Sequence, residues 1–291
     1  MVFDPEEDPS REKAATSIHF TARLIEAYLA RTRIPSGGEE DDVVSPEDDF
    51  VAHELENILV AFGRKMPKQF LVAIDELFVQ KKYRAQALGL LSSFVRFQPP
   101  HLHLVLETDL INHLQCCLLI DTSTTIVDLA LTILIMFLPH ITSSLIPNLP
   151  KLFLIYSRLL CWDKYRNDTT DANEGRGSGI MSQYLALMQE KFDPLLDDPT
   201  WEKLHHSFDH PEAPPPRVDY YFTFLYGLFP LNFMSYVRKP RKTLKGMAYP
   251  DADSLDLNQD LIRDRTEPHR RIHLLHPNFF STTAEDELGD N

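Results

Sequence analysis

The sequence predicts an all-α fold, a HEAT/armadillo-like α-solenoid of stacked antiparallel helix pairs. Three observations carry that expectation. Apolar residues recur at spacings of three and four in successive stripes, and no stretch sustains a two-residue alternation. Proline falls between the stripes and not inside them. Glycine is scarce, 10 of 291 residues against 21 prolines, which argues against Gly-rich phosphate-binding turns and many tight βα loops. Helix pairs recur at roughly 35–45 residues, the spacing of helical repeats, without a repeated consensus.

Taken in order, residues 1–13 are acidic and expected to be disordered. Ile18, Ala22, Ile25 and Leu29 then form one helix face. Ser45-Pro46-Glu47-Asp48 is a helix start: Ser45 can cap, Pro46 fits the first turn, and Val51, Leu55, Ile58, Leu59 and Phe62 follow as a stripe. Pro67 restarts a helix carrying Phe70, Leu71, Ile74 and Phe78. Lys82 opens another, ended by Pro99-Pro100. Residues 101–113 lead into Leu114–Ile120; Asp121-Thr122-Ser123 punctuates, and a helix over residues 124–138 follows. Ile126–Leu138 is nearly all apolar, but it falls short of the ~20 residues needed to cross a bilayer, so it is expected to be the most buried helix. Pro147 and Pro150 introduce Leu152–Leu160. A helix near Ile180–Lys191 comes next. Val218–Phe229 is aromatic on nearly every face, which requires burial on two sides. Pro230 starts a helix through Val237, and a polar tail runs from Ala248. The expected organisation is one helical domain over 14–280, with mobile loops near 33–50, 163–180 and 193–216 and a disordered tail over 281–291.

Composition excludes several classes of function. Apolar residues make up 43% of the chain, with 18 Phe and 10 Tyr, enough for a sizeable core and too many for a disordered chain. The net charge is −14, from 29 basic and 43 acidic residues, which makes a nucleic-acid partner unexpected. Residues 1–13 lack the apolar core of a signal peptide. Cys116, Cys117 and Cys161 lie in apolar segments and read as reduced, buried thiols of an intracellular protein. No phosphate loop, nucleophile elbow or zinc-protease helix is present. His205, His206, Asp209 and His210 have a ligand-like spacing, and His101, His103 and His113 form a looser group, but neither has a ligand from a further segment to complete a tetrahedral set. Both read as surface histidines. No catalytic residue, metal or cofactor is expected, and the chain is not expected to be an enzyme.

Charge placement is the anomaly. Residues 1–60 hold 15 acidic against 5 basic residues, yet Arg238, Lys239, Arg241, Lys242 and Lys245 crowd together with no acid among them. Pro240 should stop the preceding helix, so this run is expected to project as a loop. Arg263, Arg265, Arg270 and Arg271 follow, and Arg64, Lys65, Lys68, Lys81, Lys82 and Arg84 mark two earlier basic turns. Such residues either balance the acids in solvent or form an edge for phosphate groups and anionic membranes, each worth about 1 kcal/mol near such a surface. The bet for lipid contact is Arg238, Lys239, Arg241, Lys242 and Lys245, with Arg270 and Arg271 if the tail folds back. The alternative is Arg64, Lys65, Lys81 and Lys82.

The run Asp121-Thr122, Leu131–Pro139, Phe153–Leu159 and Trp162 resembles the N-terminal region of hamartin, the scaffold subunit of the tuberous sclerosis complex. So does Leu225-Tyr226-Gly227-Leu228-Phe229-Pro230-Leu231-Asn232-Phe233-Met234-Ser235-Tyr236-Val237-Arg238, the most specific stretch. Arg96-Phe97-Gln98-Pro99 and His276-Pro277 also match, so the resemblance covers residues 16 to 280. The loops 33–50, 163–180 and 193–216 suggest a fungal form. The resemblance implies a non-catalytic regulatory domain. Its family partner is tuberin, bound mainly through a coiled coil absent from this chain, and the complex restrains TOR signalling through the GTPase Rheb. It further implies self-association and docking on phosphoinositides, with a cytoplasmic protein peripheral on the lysosomal or vacuolar membrane.

Overall fold

The computed structural model describes residues 21–32, 46–97, 99–163, 201–204 and 214–289. Every regular element among them is a helix, as the apolar stripes predict, and the fold is of the helical-repeat kind. No helix among the described residues is long and apolar enough to cross a membrane. The predicted helix near Ile180–Lys191 lies outside the described residues, as does most of each of the three expected loops. Contacts divide the chain into two compact units, Met1–Leu110 and Ile111–Asn291. The sequence gives no sign of that division, because the helical rhythm runs through residue 110 without a break.

In unit 1, α1 (21–31), α2 (Pro46–Lys65), α3 (Pro67–Val79) and α4 (Arg84–Arg96) surround Leu59, Phe70, Ile74, Phe78, Leu91 and Phe94. Pro46 and Pro67 open their helices as expected, in the one turn where a missing N–H costs nothing. Gly63 on α2 allows close approach: a Cβ there would stand 2.8 Å from the Phe70 ring. The helix expected to open at Lys82 starts instead at Arg84, after a 3₁₀ turn over Lys81–Tyr83. Arg84 is also not the solvent cation expected. It is fully buried, and its guanidinium donates to the carbonyls of Phe78 (3.2 Å) and Val79 (3.3 Å), which α3 leaves unpaired at its C-terminus. Gln86 likewise closes α1, donating to the carbonyls of Leu29 and Thr32.

Unit 2 is built around α7 (Leu149–Leu160), which follows α5 (Leu110–Ile120) and α6 (Thr124–Phe137). Ser123 caps α6 by accepting from the Ile126 amide. The most buried helix is α7 and not Ile126–Leu138. All its residues from Leu149 to Leu159 except Lys151 are buried, whereas α6 leaves Thr125 and Thr132 exposed. Polar side chains permit this, because each finds a buried partner. Ser157 Oγ lies 2.6 Å from Tyr236 Oη, and Tyr156 Oη lies 3.0 Å from Thr266 Oγ1. Arg158 donates to the carbonyls of Leu118 and Asp121. The carboxylate of Asp121 accepts in turn from Leu204 N (2.9 Å) and Trp201 Nε1 (3.2 Å), fastening residues 201–204 onto the unit.

Around α7 pack α8 (Asp219–Leu228), α9 (Pro230–Arg238), α10 (Pro240–Gly246), α11 (Gln259–Arg271), α12 (Asn278–Ser281) and α13 (Ala284–Gly289). The aromatic helix has one buried face rather than two: Tyr221, Phe222, Leu225 and Tyr226 are inward, while Tyr220 and Thr223 are exposed. The expected projecting loop is also corrected. Pro240 ends α9, but it occupies the first turn of α10, so the basic run continues as helix. The polar tail is structured too. Asn258 caps α11, and Thr283 and Asp286 form a reciprocal capping box at the start of α13, where a disordered tail was expected.

Candidate anion-binding cleft

The backbone of α9 delivers Arg238 to its last turn, and α11 carries Arg263 and Arg270 two turns apart. Unit 2 joins these in a cleft of about 480 Å³, lined by Arg238, Arg263 and Arg270 with Met234, Thr266, Glu267 and Phe279. Its floor is held by the hydrogen bond between α7 and α11. Thr266 Oγ1 donates to Ile262 O (2.7 Å), so Tyr156 must donate to Thr266. The buried Tyr156 hydroxyl is raised above its ordinary value, chiefly by desolvation.

Glu267 is the one carboxylate among the lining residues. It accepts two hydrogen bonds from Arg270, both 2.8 Å, and one from Arg271 at 3.0 Å. Those bonds, Arg270's first, pull its carboxyl down to about 2. Arg263 reaches Asp260 at 3.2 Å and Asp264 at 3.4 Å, both exposed pairs that solvent screens. Arg238 has no side-chain partner among the described residues. An anion entering the cleft thus meets one uncommitted guanidinium and two that a phosphate can recruit from solvated carboxylates, with the planar forks that match phosphate oxygens.

Of the sequence-predicted residues, the structure brings Arg238 and Arg270 together. Lys239, Arg241, Lys242, Lys245 and Arg271 are exposed but do not line the cleft. Arg241 donates to Leu255 O (3.1 Å) and Lys245 pairs with Asp253 (2.5 Å), whereas Lys239 and Lys242 have no side-chain partner among the described residues. Arg263, basic in sequence but not among the expected lipid contacts, joins Arg238 and Arg270 in the cleft. Its i, i+7 spacing to Arg270 is the signal that places both on one helix face. In unit 1, Arg64, Lys65, Lys81 and Lys82 are exposed. Arg64 lies over the Phe97 ring (4.1 Å) and Lys82 over Tyr83 (4.3 Å). None of the four lines the cleft of unit 1, which is bordered by Ile25, Leu29, Phe62, Ala73 and Leu77.

Among the described residues no three His, Cys, Asp or Glu side chains are placed to hold a metal ion. His101 and His103 face each other edge-on, and His113 stacks on Trp201. His205, His206 and His210 lie outside the described residues. Cys116, Cys117 and Cys161 are buried and form no disulfide.

Residues 50–186 match the family model described as hamartin, N-terminal domain. The chain is 28% identical over its whole length to the tuberous sclerosis 1 protein homolog of Schizosaccharomyces pombe, covering 32% of that protein. It is 25% identical to human hamartin over 80% of this chain and 16% of the relative. It therefore spans about a third or less of the curated relatives it matches. Two solved structures, "Structure of TSC1 NTD and linker domain" and "TSC1 N-terminal domain", superpose with TM-scores of 0.69 at 33% identity. Each alignment covers 94% of this chain, and 56% and 60% of the respective neighbours.

Proposed function

We propose that this chain, whose residues 50–186 match the hamartin N-terminal domain model, is the non-catalytic scaffold domain of a hamartin–tuberin complex. In this reading it serves a complex that restrains TOR signalling through tuberin acting on Rheb. Tuberin is held mainly by a coiled coil outside these residues. Unit 2 docks the complex on phosphoinositide-containing lysosomal or vacuolar membranes from the cytoplasmic side. The observation that carries the docking is the convergence of Arg238, Arg263 and Arg270 on one cleft. Lys239 and Lys242, exposed just beyond it, add long-range attraction that salt screens over about 8 Å at physiological ionic strength.

Self-association is part of the same reading, supported by the exposed Tyr220 beside the half-buried Phe224 on α8. Light scattering tests it, with a strictly monomeric mass at high concentration as the contrary result.

Vesicle co-sedimentation across a phosphoinositide panel tests the docking. Arg238→Glu with Arg263→Glu should abolish sedimentation and leave the melting temperature within a few degrees. If that variant sediments normally while Arg64→Glu with Lys82→Glu does not, the membrane site is on unit 1.

A further inference from the structure

The loop that leaves α11 has a fixed backbone and free apolar side chains. Tyr226 Oη donates to Leu274 O and accepts from His276 N, both at 3.0 Å. The His273 ring lies 2.9 Å from Thr223 Oγ1 and 2.8 Å from His269 O, and it packs at 5.0 Å on the Phe222 ring. With His273 turned inward, its neighbours are left outside. Ile272 is 77% exposed, Leu274 91% and Leu275 61%, and Phe280 on α12 is 80% exposed.

These residues adjoin two cleft-lining residues in sequence. Arg270 stands two residues before Ile272, Phe279 is next to Phe280, and both Arg270 and Phe279 line the cleft. Scattered exposed apolar residues need no explanation, but three of them on one pinned loop, with Phe280 five residues on and arginines lining the adjoining cleft, do. We propose that residues 272–275 and Phe280 are a preformed apolar tip that inserts into the interfacial layer of an anionic membrane while the cleft holds a phosphate headgroup.

Two features select a bilayer over a folded partner. Side chains this exposed stand clear of one another, and a fluid interface conforms to them, whereas a protein face would have to be shaped to match. The adjoining charge is basic at the cleft, which complements anionic lipid. Because Tyr226 and His273 already fix the loop, insertion requires no ordering of its backbone. The proposal rests on the cleft being a headgroup site, so its test separates the two.

The native cysteines are buried, so Leu274→Cys in the 291-residue chain accepts a single environment-sensitive fluorophore. Phosphoinositide vesicles should shift its emission to the blue, and lipids brominated near the headgroup should quench it. Ile272→Asp with Leu274→Asp should lower partitioning onto those vesicles at least about tenfold, while leaving binding of soluble inositol trisphosphate unchanged. Sedimentation without any emission shift would overturn insertion and leave the cleft reading intact. Loss of both inositol trisphosphate binding and sedimentation in the wild-type chain would overturn both. An emission shift that tracks protein concentration without vesicles would assign the tip to a second copy of the chain and overturn the membrane proposal.

Discussion

Asn232 and Glu287 lock the foot of α9. The Asn232 backbone amide donates to Glu287 Oε2 at 2.8 Å, and its side-chain amide donates to the same oxygen at 2.6 Å. The other carboxylate oxygen accepts from Leu231 N at 2.9 Å. No side chain caps α9 from its own N-cap residue, Phe229. A carboxylate from α13 therefore satisfies amides that α9 would leave bare, and its charge suits the positive end of the helix. The helix so fixed is the one that carries Arg238.

Glu287→Ala should destabilise unit 2 by about 1–3 kcal/mol, the cost of leaving buried amides unpaired. Thermal melting measures it. Asn232→Ala should cost a similar amount, and the double variant less than the two together, because they share one network.

Ala248→Gly should stabilise the chain. α10 ends in a Schellman motif: Tyr249 N donates to Leu244 O and Ala248 N to Lys245 O. Ala248 takes the left-handed position, φ 55°. A side chain there costs about 1–2 kcal/mol that glycine avoids, offset in part by glycine's greater unfolded-state freedom. A gain of about 0.5–1 kcal/mol in urea unfolding is the expected result.

Arg158→Leu should cost about 3–5 kcal/mol, as when one partner of a buried charged pair is removed. It strands the carbonyls of Leu118 and Asp121 and removes a buried cation that the charge of Asp121 favours. Burial already pulls the Arg158 guanidinium down to about 10, so the site tolerates the charge only with these partners in place.

Alkaline pH should unfold the chain. Desolvation raises the phenols of Tyr28 and Tyr249 to about 12, and it raises Tyr156 and Tyr221 as well. Each folded-state value lies above the unfolded 10.0, so the stability they confer is complete below pH 10 and lost as pH rises toward 12. The lowered Arg158 acts in the opposite sense over the same window, one group against four. The share of the tyrosinate absorbance that these four buried phenols contribute should thus rise with the loss of helical circular dichroism, not before it.

Much of this was legible in the sequence, and the failures have physical causes. Pro46, Pro67 and Pro230 open helices where expected, because proline lacks only a donor that a first turn does not use. The same rule is ambiguous at Pro240, where ending one helix and starting the next are both allowed. α11 escaped notice because it buries only Ile262 and Thr266, so no apolar stripe marks it. α13 carried a readable signal in Thr283 and Asp286, a capping pair three apart, but its acidic residues resembled a solvated tail. The cleft was half legible. The basic run named Arg238 and the tail named Arg270, but only the fold places Arg263 with them and removes Arg84 into the core.

Calorimetric titration of inositol trisphosphate into the Glu267→Gln chain tests the central claim most directly. Glu267 holds Arg270 and Arg271 and is the carboxylate that lines the cleft. Neutralising it should free both guanidiniums and tighten binding about tenfold at low salt, with the gain shrinking as salt rises. Affinity that is unchanged or weaker in Glu267→Gln, in a chain that melts as the wild type does, would contradict a headgroup site built on these arginines.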